Sequence, residues 1–521
     1  MKNRKRYYIA ACAGCLALAV QAQTSYNAGT VMENQLNGTA RFVGMGGAMS
    51  ALGADISTMS TNPAGIGLYR SSDIAMTLGW YNPSSKSTFN NETHKDKVSK
   101  FSFDQLGFVY SSKLGNRTTL RYVNFGFSYR KANNFYDNFT MEGPVNGDSY
   151  SQQMAYSLWK SGVSAEDFNN MLQEKNPYKN VNFGWLNVMG GLTGLLTGEG
   201  ENDFYGWDSD RTYFRGENKG GIYAYDFNLS CNLNDRVYLG LTIGAYDVDF
   251  SRYSSFGENL YAEDDQGQYA ASMLLENWYH TDGSGIDAKF GVIFRPFEYS
   301  PLRIGLAIHT PTWYNLRDVF SARMTMLGTE GQRMTADTRD SGYDESYEYN
   351  LRTPWKFNIS AGYTIGQSVA LDAEYEYADY SSAKFSDPAN YDMSANNQTI
   401  KEDLKGVSSF RMGVEAKLFE DISLRAGYNY IGALYNENAY KLNNPIGTRT
   451  DIDYMNNYAA HNITLGLGLR FGSFYTDLAY IYTNQKADFH SYASLINGVQ
   501  DPVAKVTRNN HRALLTLGYR F

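Results

Sequence analysis

Apolar and polar side chains take turns along most of this chain. In HRALLTLGYRF, at 511–521, Ala513, Leu515, Leu517, Tyr519 and Phe521 share one face. Arg512, Leu514, Thr516, Gly518 and Arg520 share the other. A period of two marks a strand with two unlike faces. The same alternation sets Val369, Leu371, Ala373, Tyr375 and Tyr377 against Asp372, Glu374 and Glu376. It sets Ile422, Leu424, Ala426, Tyr428 and Tyr430 against Ser423, Arg425, Gly427 and Asn429. It recurs in TLGLGLRF, and in YAYDFNLSCNL, where Tyr225, Phe227, Leu229 and Cys231 read as outward and Asp226, Asn228 and Ser230 as inward.

The alternation predicts strands near 73–81, 103–113, 119–131, 220–233, 236–252, 281–295, 301–316, 353–365, 368–381, 406–418, 421–431, 461–471, 473–484 and 511–521. Asn234-Asp235, Ile365-Gly366-Gln367, Phe419-Glu420 and Gly472 mark tight turns. Between them lie long segments: 82–102, 132–219, 253–280, 317–352, 382–405, 432–460 and 485–510. Short and long connections in turn are the pattern of a bacterial outer-membrane barrel, with short periplasmic turns and longer external loops.

Composition agrees. The chain has 43 Tyr, 28 Phe, 49 Gly and only 11 Pro, and its mean hydropathy is −0.46. A barrel strand shows lipid only every second side chain, so its hydropathy averages out. No segment after the first residues reaches the length of apolar run that a membrane helix needs. The start, MKNRKRYYIAACAGCLALAVQAQ, has a basic lead, an apolar run and Val20-Gln21-Ala22 as a small-x-small site. It predicts a cleaved signal peptide over 1–22. Cys12 and Cys15 would leave with it, so Cys231 would have no partner. The net charge of −8 argues against nucleic acid.

The expected fold is therefore all-β: a fourteen-stranded antiparallel transmembrane β-barrel in the outer membrane, its apolar faces on lipid. The terminal strand ending on Phe521 resembles the signal that the barrel-assembly machinery reads.

The run GMGGAMSALGADISTMSTNPAGIGLYR resembles the N-terminal hatch of the FadL/OmpP1/TodX family of outer-membrane hydrophobic-compound transporters, with Asn62, Pro63, Ala64 and Gly65 at the family's Asn-Pro-Ala turn. TPWKFNISAGYTIGQSVALDAEYEYADYS resembles the family's central hairpin, with Tyr380-Ser381 where the family usually has Trp-Ser. SSFRMGVEAKLFEDISLRAGYNYI resembles the next hairpin, and LLTLGYRF the last strand. The resemblance implies a short helical plug in the lumen, over 23–70, and a barrel over 71–521. It also implies passive transport of long-chain fatty acids or aromatic hydrocarbons: capture at external loops, binding inside, and lateral release at a kinked strand.

The physics of the residues fits a plug. A barrel of this size has a lumen too wide for its own side chains to fill. Pro63 fixes its φ and biases Asn62 away from helix, and Asn62 can bond nearby backbone to hold a turn. Glycines 44, 46, 47 and 53 let the segment bend. Segment 132–219, long for the family, reads as a helical insertion. Its Leu158, Trp159, Trp185, Leu186 and Met189 are the candidate ligand groove. Gly126, with Tyr129 and Arg130, marks the candidate lateral gap over 126–133, since alternation is lost after Tyr129. The inward charges Asp372, Glu374, Glu376, Arg411, Glu415, Arg425, Arg470 and Arg520 are expected to pair across the lumen.

No Gly-x-Ser-x-Gly elbow, His-Glu-x-x-His pair or Cys/His metal spacing appears. His280-Thr281-Asp282-Gly283-Ser284 is the one close set, and it reads as a loop turn. The chain is therefore expected to be no enzyme and to need no cofactor or metal. The rival readings are a haem receptor, with His94 or His490 as ligand, and a non-specific porin without a plug. The expected partners are a hydrophobic small molecule and outer-membrane lipid.

Overall fold

A computed structural model describes residues 23–264, 267–328, 331–342, 345–441 and 446–521. The signal peptide expected over 1–22 lies outside the described residues. Fourteen antiparallel strands close on themselves. They are β1 (Asp73–Phe89), β2 (Glu92–Lys97 and Lys100–Lys113), β3 (Leu120–Asn134 and Asp137–Gly147), β4 (Asp208–Leu233), β5 (Val237–Asp264), β6 (Gly267–Phe294), β7 (Arg303–His309 and Trp313–Gly328), β8 (Glu345–Arg352 and Lys356–Ile365), β9 (Val369–Asp379), β10 (Gly406–Lys417), β11 (Ile422–Ile431), β12 (Tyr454–Phe471), β13 (Phe474–His490) and β14 (Val503–Arg520). Each pairs with the next, and β14 returns to β1, from Asp73 opposite Arg520 to Thr88 opposite Lys505. Closure leaves no free sheet edge, which a lipid-facing sheet requires. No helix among the described residues is long and apolar enough to cross a membrane.

One rim carries tight turns at Asn234-Asp235, Gly366 and Gly472, all at positive φ. The other carries the long connections. On β1 the outward side chains run Ile74, Met76, Leu78 and Trp80, then Asn82, Ser84, Lys86 and Thr88. The outer surface thus changes from apolar to polar at Trp80. Exposed Trp80, Trp313 and Trp355 stand at the long-loop side of the apolar band; exposed Phe297, Tyr299, Phe471, Phe474 and Phe521 ring the short-turn rim. Two aromatic girdles around an apolar band define a membrane-spanning barrel.

The wall is taller than the sequence pattern predicts. β4, β5 and β6 have 26, 28 and 28 residues, against about 9–11 needed to cross a bilayer. Segments 82–102 and 253–280 are expected as loops; residues 82–102, 253–264 and 267–280 instead form antiparallel pairs that continue the wall. Beyond the band the faces exchange character: Phe256, Leu260, Met273 and Leu275 point inward and are buried. The expected insertion 132–219 divides. Its ends extend β3 and β4, and its middle forms α3 (Tyr150–Ser161), α4 (Ala165–Leu172) and α5 (Trp185–Leu192). These helices pack on the inward apolar residues of the tall strands and cap the mouth.

Candidate functional site

The chain before β1 folds back through the barrel. It comprises α1 (Ser25–Met32), α2 (Ala40–Gly44) and two short 3₁₀ turns, Ile56–Ser60 and Pro63–Leu68. Thr24 caps α1, Thr39 caps α2 and Asn62 caps the last turn. The Asn62 side chain accepts from Ala64 N at 3.1 Å and donates to Ser50 O at 2.9 Å. Pro63 O accepts from Ser230 Oγ of β4 at 2.8 Å, and Thr61 O bonds His309 Nε2 of β7 at 2.7 Å. Asn62, Pro63, Ala64 and Gly65 are thereby held on the wall. Wall glycines permit this approach. A Cβ on Gly240 would overlap Pro63, and one on Gly291 would overlap the Asn62 side chain.

A second anchor is ionic. Arg41 of α2 makes a two-pronged pair with Glu415 of β10, at 2.9 and 3.0 Å. Glu415 also meets Arg425 of β11, and Arg425 meets Asp477 of β13 at 2.6 Å. Elsewhere Arg411 pairs with Glu374 and Glu376, Arg520 pairs with Asp73, and Asp372 accepts from Ala51 N and Leu52 N. The inward charges therefore pair along the wall or with residues 23–70, not across the lumen as expected, because those residues fill the space between. Arg470 is exposed.

The wall has a seam between β2 and β3. Their ladder runs from Lys113 opposite Tyr122 to Gln105 opposite Arg130 and stops there. β3 continues beside β4, with a register shift between Lys131 and Asn133. Gly126 is paired on both sides and lies against Met59; Tyr129 faces outward among Phe103, Tyr223 and Tyr225; Arg130 closes the ladder. The ladder therefore stops inside the 126–133 stretch that the sequence singles out, just after Arg130. Asn37, from the segment linking α1 and α2, reaches both edges: its Nδ2 donates to Lys131 O at 2.9 Å and to Asp104 Oδ1 at 3.4 Å. Lys131 Nζ donates to Ser102 Oγ of β2 at 2.8 Å.

Two chambers flank residues 32–36. The outer, of about 290 Å³, is lined by Tyr26, Phe135, Tyr279, Arg252, Arg508 and Arg512 among others. The inner, of about 150 Å³, reaches Ala132, Asn133, Tyr246, Lys289 and Lys356. Both touch Asn133 at the seam. In the outer chamber, Nε of Arg252, Arg508 and Arg512 and Nδ2 of Asn134 are buried without an acceptor among the described residues. Tyr380, where the resembled family usually has Trp, accepts from Asn34 Nδ2 at 2.8 Å through its hydroxyl, a bond indole cannot accept.

Above the chambers sits the cap. Leu158, Trp185, Leu186 and Met189 are buried in it, against Phe320, Met324 and Tyr492; only Trp159 stands exposed, at 55%. The helices spend their apolar faces on one another and on the tall strands, so four of the five expected groove residues are covered. Glu258 of β5 is fully buried and accepts from Tyr150 N, the first residue of α3, at 3.0 Å. Burial raises its pKa to about 8. In the loop 432–453, burial would raise Asp451, but Arg449 and Lys441 hold it well below the usual carboxylate range.

Among the described residues no His/Cys/Asp/Glu group could hold a metal. His490 Nδ1 lies 3.2 Å from Asp501, and its ring stacks on Tyr454. His280 and Asp282 belong to β6, not to a turn as expected.

Together these features define a plugged, capped, fourteen-strand membrane barrel with an internal chamber system. No family model and no curated protein matches the sequence. Solved structures do match. A FadL homologue from Pseudomonas aeruginosa gives a TM-score of 0.51 at 12% identity, covering 94% of this chain and 99% of its own. The toluene transporter TodX of P. putida gives 0.47 at 12% identity, with 93% and 99% covered. The toluene transporter TbuX of Ralstonia pickettii gives 0.42 at 13%, with 93% and 98%. This chain has the fold of the FadL homologue.

Proposed function

We propose that the protein passes hydrophobic small molecules passively through the outer membrane. The ligand enters at the long-loop rim, rests in the chambers around residues 32–36, and leaves sideways into the bilayer at the β2–β3 seam. The observation that carries this reading is Asn37. One side chain of the luminal segment bridges Asp104 and Lys131 where the ladder has stopped. A ligand that displaces residues 32–37 removes that bridge and leaves the bond from Lys131 Nζ to Ser102 Oγ to hold the two edges together there. The mixed lining favours an amphiphile such as a long-chain fatty acid over a bare aromatic hydrocarbon, because Arg252, Arg508 and Arg512 line the outer chamber beside Tyr26, Phe135 and Tyr279.

The test locks the seam. Cysteines at Ser102 and Asn133, in a Cys231→Ser background, occupy positions that would face each other if the ladder continued. Uptake of radiolabelled oleate by cells making this variant is expected to stop on oxidation and return on reduction. Unimpaired uptake by the oxidised form refutes lateral release. Uptake of toluene, but not oleate, by the reduced form refutes the preference for an amphiphile.

A further inference from the structure

The outer surface of β13, β14, β1 and β2 carries an unusual charge pattern. In one row across these strands stand Lys486, Thr507, Lys86 and Lys95, each opposite the next. Lys86 and Lys95 are direct cross-strand partners and both are exposed. Like charges so placed repel, since opposed Cβ atoms are only about 4.5–5.5 Å apart. Lys97 lies one row nearer the membrane, opposite Ser84; Lys100 is opposite the inward-facing Tyr81 and lies off this outer row. Lys505 lies one row further out.

Little neutralises this stripe from within. Asp488 pairs with Lys505 at 2.8 Å. The other nearby carboxylates are engaged on the inner side: Asp96 accepts from Thr140 Oγ1, and Glu92 pairs with Arg211. Lys86, Lys95, Lys97, Lys100 and Lys486 make no ion pair among the described residues; Lys100 lies over the Tyr136 ring, at 5.2 Å. The chain as a whole is acidic, at −8, so the stripe runs against its overall sign. It begins at Lys97, just above the aromatic girdle at Trp80, and climbs away from the apolar band on the side where lipid headgroups lie.

We propose that this face binds a phosphate-bearing lipid of the outer leaflet, its phosphates gripped between Lys86, Lys95, Lys97 and Lys486 and its acyl chains lying on the apolar band below Trp80. Anionic phosphate relieves the Lys86–Lys95 repulsion, and the apolar band supplies the second half of the site. A free anion gains only the first half. This inference rests on the membrane-barrel reading but not on the transport reading.

The test uses the full chain in phosphatidylcholine nanodiscs. Binding of a bis-phosphorylated glucosamine lipid is compared with that of the same lipid stripped of phosphate, by native mass spectrometry. The variant K86Q/K95Q/K97Q/K486Q changes only exposed side chains; heat-modifiable gel mobility checks its folding, and Lys113→Gln serves as a control on β2 at the other rim. Exposed charge contacts are individually weak, so four together are expected to reduce affinity about tenfold, with Lys113→Gln unchanged. Equal affinity for the stripped lipid, or no loss in the quadruple variant, overturns the proposal. So does competition by inorganic phosphate at the lipid's own concentration, which would assign the stripe to free anions. Failure of the chain to enter nanodiscs at all would instead remove the membrane reading beneath it.

Discussion

The carbonyl oxygen of Pro63 lies 2.8 Å from the hydroxyl of Ser230, so the luminal segment hangs on the barrel wall by its own backbone. The contact is possible because Gly240, on the next strand, carries no side chain where Pro63 sits.

Gly240→Val should therefore unseat the turn. The added carbons overlap Pro63, and overpacking of this kind costs about 1–3 kcal/mol. Conductance in planar bilayers should rise above that of the native protein, while the barrel still shifts on heating in gels. Ser230→Ala should act more mildly, by about 1 kcal/mol, as one hydrogen bond is lost. A Gly240→Val protein with native conductance would mean the turn does not hold the plug.

Arg41 and Glu415 form the segment's ionic anchor. Arg41→Met leaves Glu415 with Arg425 alone, so the loss should be about 3 kcal/mol, the lower end for a broken buried pair; Arg41 keeps 25% exposure. Protease cleavage within residues 33–55, measured in detergent, should speed up. The barrel's own melting should change little, because its hydrogen-bonded ladder is untouched.

Glu258 predicts a pH dependence confined to the cap. Its folded pKa of about 8 lies above its ordinary value of 4.5. The folded state thus holds a proton that the unfolded state releases, and cap stability is greatest below about pH 4.5 and falls as pH rises to about 8. Proteolysis of the 150–192 region should accelerate across that window. Glu258→Gln keeps an acceptor for Tyr150 N and should flatten the profile.

Leu158 and Trp159, adjacent in sequence, should respond in opposite ways. Leu158 is 2% exposed and Trp159 is 55% exposed. Leu158→Ala leaves a cavity and should destabilise the cap by about 2–5 kcal/mol. Trp159→Ala should leave thermal unfolding of the cap within about 0.5 kcal/mol of native.

Much of the barrel is legible in period two. Val369 to Tyr377 and Ala513 to Phe521 announce their strands because one face meets lipid and the other meets polar contacts. The helices of the cap read from their own spacing. Signals weaken where the chain leaves the bilayer. Phe256, Leu260, Met273 and Leu275 alternate too, but with the apolar side turned inward, so a pattern calibrated on the lipid face misses them and 253–280 passes for loop. Leu158, Trp185, Leu186 and Met189 look like an exposed greasy patch until the tall strands that cover them are in place. The seam is similar: Gly126 draws attention as a glycine, whereas the ladder ends at Arg130 because Asn37 and Lys131 take over beyond it.

By itself the sequence determined the strand number, the antiparallel order, the two unlike faces of each strand and the turn at Asn62-Pro63. Each of these follows from side chains within about ten residues of one another, where alternation and turn chemistry are local. Only the tertiary structure decided what the turn rests on, which charges pair, how high the wall rises and where it parts. Those depend on contacts such as Pro63 with Ser230 and Asn37 with Asp104. They form only when distant strands close around the luminal segment.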